Sequence, residues 1–154
     1  MGFTQFQKEC LAEHNKLRAK HGAAPLALSA ELNKLAQEWA EKLAKTGQLS
    51  HRPNNNYGEC IYNCSSSDPN FDVSGDKATQ TWYSELPKYK WFGKEPSMQE
   101  KRGTGHFSQV VWAASKELGM GKVKKGNQIF VVGNYKPAGN MGGQYMDNVR
   151  KPTA

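Results

Sequence analysis

The chain of 154 residues carries 21 lysines and arginines against 14 aspartates and glutamates, a net charge of +7, and 37% of it is hydrophobic. That is one domain's length of chain, expected to form a single unit over residues 1–154, and 4 Trp, 6 Tyr and 6 Phe argue against disorder. No window approaches the run of about 18 apolar residues that a membrane span requires, so no transmembrane segment is expected.

The elements follow in chain order. The start, Met1 to Cys10, has neither the basic residues nor the apolar stretch of a secretory signal. Gly2 also lacks the Ser or Thr four residues on that acylation favours, because Phe6 stands there. From Thr4, a candidate N-cap, Phe6, Cys10, Leu11, His14 and Leu17 recur at helical spacing until Gly22 and Pro25. A second helix begins near Ser29, sets Leu32, Leu35, Ala36, Trp39 and Leu43 on one face and ends at Gly47. Residues 50–73 read as loop around a short strand, Gly58 to Cys64. A third helix is expected from Asp76 to Glu85, a loop over 90–104, and a short helix from His106 to Ala114. Two strands, Leu118 to Lys124 and Gln128 to Tyr135, then form a hairpin about Gly126 and Asn127. Helices first and antiparallel strands last indicate an α+β fold with helices packed on a sheet.

Three cysteines cannot all pair within one chain. Cys60 and Cys64, four steps along one strand, would lie about 13 Å apart, beyond disulfide reach. No disulfide framework is expected, which favours a reducing, intracellular setting. The Asn63-Cys64-Ser65 sequon pulls toward secretion. Charge is unevenly placed: residues 1–85 hold 9 basic and 10 acidic side chains, residues 86–154 hold 12 and 4. Such a bias suits an anionic partner, whether phospholipid, sulfated polysaccharide or nucleic acid, and equally a solubilising surface.

Of four histidines, His51 and His106 stand beside loops among small polar residues, and Glu59 and Glu85 are carboxylates in comparable settings. Two imidazoles and two carboxylates suit a divalent cation such as Zn2+, or acid and base roles. The same glutamates serve equally as structural acceptors for backbone amides or for the two histidines. His14, on the apolar side of the first helix with Arg18 one turn on, reads as a buried hydrogen-bonding brace. Trp39, Trp82 and Trp112 read as core, and Asn134, Tyr135 and Asn140 as ties between loop and sheet.

The stretch Gly105-His106-Phe107-Ser108-Gln109-Val110-Val111-Trp112 resembles the first signature of the CAP superfamily of cysteine-rich secretory, antigen five and pathogenesis-related proteins, and Phe130 to Met141 resembles the second. His14-Asn15-Lys16-Leu17-Arg18 and Gly58-Glu59-Cys60-Ile61 are similar to two further elements of the family, in the family's order. The resemblance implies a three-layer α-β-α sandwich with a central, mainly antiparallel sheet. It also implies one cleft lined by His51, Glu59, Glu85 and His106, with the two histidines as ligands when a metal is bound. Two departures stand out: Gly133 where the second signature carries Cys, and Cys60 where Asn follows the Glu. With few cysteines, the chain resembles the intracellular, Golgi-associated plant pathogenesis-related branch.

The leading functional reading is a non-enzymatic protein binding anionic membrane lipids, with sterol or fatty acid among the ligands the family implies. Lys88, Lys90, Lys94, Lys101, Arg102, Lys122, Lys124 and Lys125 would contact head groups while Trp91 and Phe92 insert at the interface. This places the protein peripherally on the Golgi or another cytoplasmic membrane face, or, alternatively, outside the cell after removal of a signal. The other readings are a hydrolase using a metal-bound or Glu-activated water among His51, Glu59, Glu85 and His106, and a scaffold that self-associates, for instance as a homodimer. Nucleic acid ranks last as a partner, since no recognition helix or aromatic RNA-binding strand is present.

Overall fold

The computed structural model describes residues 3–152 except 54, 69 and 91. Helix α1, Gln5–Lys20, starts from a reciprocal cap in which Thr4 Oγ1 accepts from Gln7 N (3.1 Å) and Gln7 Oε1 accepts from Thr4 N (2.9 Å). Helix α2, Ala30–Thr46, starts at the Ser29 cap and ends on Gly47, whose φ of 74° is the left-handed stop that favours glycine. Between them lies β1, Ala27–Leu28; β2 is Gly58–Ser65 and α3 is Gly75–Tyr83. A single 3-10 turn, Leu86–Lys88, precedes α4, Gly105–Val111; the hairpin strands are β3, Glu117–Lys125, and β4, Gln128–Lys136; α5, Tyr145–Asn148, is last.

The sheet order is β1-β3-β4-β2, antiparallel except for the two-residue parallel pairing of β1 with β3. Alternation along β4 feeds two cores, as expected of a strand buried on both faces. Ile129, Val131 and Tyr135 join Leu118, Met120 and Cys60 against α1, α3 and α4, while Phe130 and Val132 pack on Ala36, Ala40 and Leu43 of α2. The result is a three-layer α-β-α sandwich.

Two glycines bring α2 close. A Cβ at Gly119 would fall 2.1 Å from the Leu32 carbonyl carbon, and one at Gly121 2.4 Å from Gln37 N. That approach lets α2 close the part of the β3 edge that short β1 leaves open: Asn33 Oδ1 accepts from Met120 N (2.8 Å), and Gln37 both accepts from Lys122 N (3.0 Å) and donates to Lys122 O (3.1 Å).

Two polar residues brace the other layer. Arg18 donates to the carbonyls of Ala24, Val110, Trp112 and Ser115 at 2.8–3.1 Å, tying α1 to the end of α4, and its burial brings the guanidinium down to about 10. His14 bonds Cys10 O through Nδ1 and Tyr135 Oη through Nε2, both at 2.7 Å, so the ring is neutral and burial lowers its pKa to about 4. Tyr135 is therefore core and not the turn tie expected of it. Trp82 and Trp112 are fully buried, but Trp39 is only half-buried, its Nε1 donating to Ser50 O (3.0 Å). The three cysteines are free, and Asn63 sits within β2 with its side-chain amide donating to Ile129 O (3.1 Å).

Candidate functional site: a cleft of two histidine–glutamate pairs

His51, Glu59, Glu85 and His106 line one cleft, together with Lys101 and Asn140. The side chains come from four separate places. His51 lies between α2 and β2, where Trp39 holds Ser50 O and Arg52 donates through Nη2 to Leu35 O (3.1 Å), so both flanks of His51 are fastened to α2. Glu59 is the second residue of β2, Glu85 immediately precedes the 3-10 turn, and His106 is in the first turn of α4.

Each carboxylate receives one imidazole and one backbone amide. Glu59 Oε1 accepts from His51 Nδ1 (2.8 Å) and from Arg52 N (3.0 Å). Glu85 accepts from His106 Nδ1 (2.8 Å) and, through its other oxygen, from Phe107 N (3.0 Å). The second bond gives Glu85 a capping role, because Thr104 makes no side-chain bond to the start of α4. With Nδ1 donating to a carboxylate, the lone pair of each neutral ring lies on Nε2, the arrangement that metal-binding imidazoles adopt.

The two pairs differ in exposure. The His51 side chain is 71% exposed over a Glu59 that is 3% exposed, whereas His106 and Glu85 are 38% and 18% exposed. Glu59 Oε2 is buried and finds no hydrogen-bond partner among the described residues. The hydrogen bond that His51 donates to Glu59 raises the His51 pKa above its ordinary value, against the opposing effect of burial. Around the pairs, Asn140, at a left-handed φ of 59°, donates to Gly105 O (3.0 Å) and accepts from Ser108 Oγ (2.5 Å). Gln109 Oε1 accepts from Gly139 N (2.9 Å), and Gly58 leaves room for it, since a Cβ there would meet that oxygen at 2.0 Å.

A sequence profile described as CAP, the cysteine-rich secretory protein family, matches residues 11–135. The chain belongs to the CAP family. It is 38% identical over 151 residues to the human Golgi-associated plant pathogenesis-related protein 1, covering 96% of this chain and 94% of that one. It is 34% identical to the secreted protein RBT4 of Candida albicans, over 97% of this chain but 42% of that longer protein, and 30% identical to the maize pathogenesis-related protein PRMS, over 88% and 79%. Among solved structures it is similar to "NaASP2 with Zn2+" (TM-score 0.78, 27% identity, 98% and 87% covered) and to BmVAL-1 (TM-score 0.76, 25% identity, 99% and 82% covered).

In this CAP chain the basic residues expected to face an anionic surface differ in their surroundings. Lys101 reaches into the cleft, pairs with Glu95 (3.0 Å) and lies 4.7 Å over the Tyr145 ring. Lys122 pairs with Asp72 (2.8 Å) beside α1, Lys124 donates to Phe71 O (2.8 Å), and Lys125 lies by the end of α2. Lys88, Lys90, Lys94 and Arg102 are exposed. Phe92, expected to insert at a membrane interface, is half-buried and packs against the core, 5.0 Å from the Tyr89 ring and 6.3 Å from that of Phe107. Trp91 lies outside the described residues. Lys101 and Asn140 are cleft residues that sequence reasoning placed elsewhere; Gly139, where a Cβ would meet Gln109 Nε2 of α4 at 2.6 Å, was the available signal beside Asn140.

Proposed function

We propose that this CAP protein is a non-enzymatic binding protein whose cleft takes up a divalent cation, with Zn2+ as the reference ion, on Nε2 of His51 and His106. One observation carries the reading. Among the described residues, neither Glu59 nor Glu85 pairs with a lysine or arginine; their cationic partners are imidazoles, which carry charge only when protonated or metal-bound. A divalent ion would offset both carboxylates, which would orient the rings from behind. Among the described residues no three His, Cys, Asp or Glu side chains converge as ligands. The protein would therefore supply two donors and leave the remaining positions to water or a ligand, which favours exchangeable binding over a structural zinc. The related structure described with Zn2+ supports the same ion class. Titration calorimetry tests this: one equivalent of Zn2+ bound by the wild type and lost in His51→Ala and in His106→Ala is expected, and unchanged uptake by both variants would overturn it.

A second reading, attachment to an anionic membrane face, is favoured by exposed Lys88, Lys90, Lys94 and Arg102 in the basic half of the chain. Each basic residue near such a surface contributes about 1 kcal/mol. No described helix is long and apolar enough to cross a bilayer, so the contact would be peripheral; the human relative's name points to the Golgi. Cosedimentation with phosphatidylserine vesicles at low salt, lost at high salt and on changing those four residues to Glu, is the expected result. Equal binding to neutral vesicles would remove the electrostatic part.

A further inference from the structure

We infer that Trp82 is a positioning residue for His106, holding that imidazole in one orientation before any ion arrives. The inference rests on the metal reading above and goes further, by assigning a role to a buried side chain that touches no ligand. The indole and imidazole planes are nearly parallel, 11° apart, with ring centroids separated by 6.2 Å, within the range of offset-stacked aromatic pairs. Trp82 is itself immobilised: it is 1% exposed, its Nε1 donates to Ile61 O on β2 (3.3 Å), and its ring meets His14 edge-on at 6.3 Å. His106 is thus held on one face by Trp82 and at Nδ1 by Glu85, which leaves Nε2 toward the cleft. Among the described residues no ring stacks on His51, whose side chain is mostly exposed and bonds Glu59.

The room for the indole comes from Gly133. A Cβ there would sit 3.0 Å from Trp82 Cη2 and 3.2 Å from Cζ3, as well as 3.0 Å from Met120 Sδ. Gly133 is also the direct cross-strand partner of Cys60. The two positions at which this chain departs from the family signatures therefore pair with each other across β2 and β4, and at Gly133 the space of the missing side chain is taken by the edge of Trp82. The two histidines divide the work: His106 is the preset donor, and His51 is the exposed one that completes the pair.

Two measurements on Trp82→Phe, Gly133→Val and Trp112→Phe test this. Trp112 is as buried as Trp82 but packs on Tyr145, so its variant reports a loss of core packing alone. In the metal-free protein, the Hα–Hβ couplings of His106 should indicate one rotamer in the wild type and in Trp112→Phe, and averaging in Trp82→Phe and Gly133→Val. Zn2+ affinity should fall about 10-fold in Trp82→Phe and Gly133→Val, the scale seen when a partner behind a metal ligand is lost, and stay unchanged in Trp112→Phe. A single His106 rotamer in both Trp82→Phe and Gly133→Val, or equal losses of affinity in Trp82→Phe and Trp112→Phe, would overturn the inference. Should the wild type bind no Zn2+, the metal reading falls, and the His106 couplings alone still decide whether Trp82 positions the ring. If Gly133→Val does not fold, Trp82→Phe against Trp112→Phe decides it.

Discussion

Lowering the pH from 7.5 to 5 is expected to cost this protein about 2 kcal/mol of stability through His14 alone. The unfolded chain takes up a proton near the ordinary imidazole pKa of 6.5, whereas the buried ring in the native state does so only near 4. Its stabilising effect is complete above 6.5 and is lost as the pH falls from 6.5 toward 4. The environment explains the depressed value: burial acts first, Arg18 adds to it, and the carbonyl of Cys10 opposes it. The other groups at the ring are the hydroxyls of Tyr135 and Thr79, not carboxylates. His21, bonded to Arg150 O and Tyr83 Oη, is lowered in the same direction and steepens the loss. His51, raised by Glu59, works in the opposite sense, and its contribution is already complete below 6.5. Asp72 and Glu95 are held below the ordinary carboxylate range, so they matter only at lower pH. Urea titrations at pH 7.5, 6.5, 5.5 and 5 give the slope, and His14→Asn, which can keep the bond to Cys10 O without a titrating ring, should flatten it. An unchanged slope in His14→Asn would refute the reasoning.

Other expectations concern packing and capping. Gly121→Ala forces a methyl into the Gln37 backbone, 2.4 Å away, and should cost about 1–3 kcal/mol as α2 lifts from β3; an unchanged melting temperature would contradict the close approach. Arg18→Met leaves the carbonyls of Val110, Trp112 and Ser115 without their buried donor and should cost about 3 kcal/mol or more in urea unfolding. Ser29→Ala removes the bond to Leu32 N and should cost about 1 kcal/mol, read in the same assay.

What was legible in the sequence depended on range. Helices α1 and α2 carry their own caps and apolar stripes, and Gly126 at φ 60° makes the hairpin turn local. By contrast, Ala27–Leu28 is a strand only because Glu117 and Leu118 pair with it, and Tyr145–Asn148 is a single turn; neither has a periodic signal of its own. The third helix stops at Tyr83, so Glu85 belongs to the following turn, from which it reaches His106 and the start of α4. Nothing in the spacing of Glu85 and His106, 21 residues apart across a loop, announces that bond; the likeness to the CAP signatures brought the four cleft residues together. Charge was the least legible feature. The excess after residue 85 is a property of the chain, but Lys101 and Lys122 are engaged by Glu95 and Asp72, acids distant in sequence or hidden in loops. Phe92 likewise resembles an interfacial anchor until the packing of Tyr89 and Phe107 around it is seen.

The most direct measurement of the proposed cation site is long-range proton–nitrogen correlation of the imidazoles as Zn2+ is added. The Nε2 resonances of His51 and His106 should move together and saturate at one equivalent, while their Nδ1 atoms remain protonated toward Glu59 and Glu85 and the signals of His14 and His21 stay in place. Coordination through Nδ1, or shifts confined to one of the two rings, would contradict a cleft in which two carboxylates turn two imidazoles toward a shared ion.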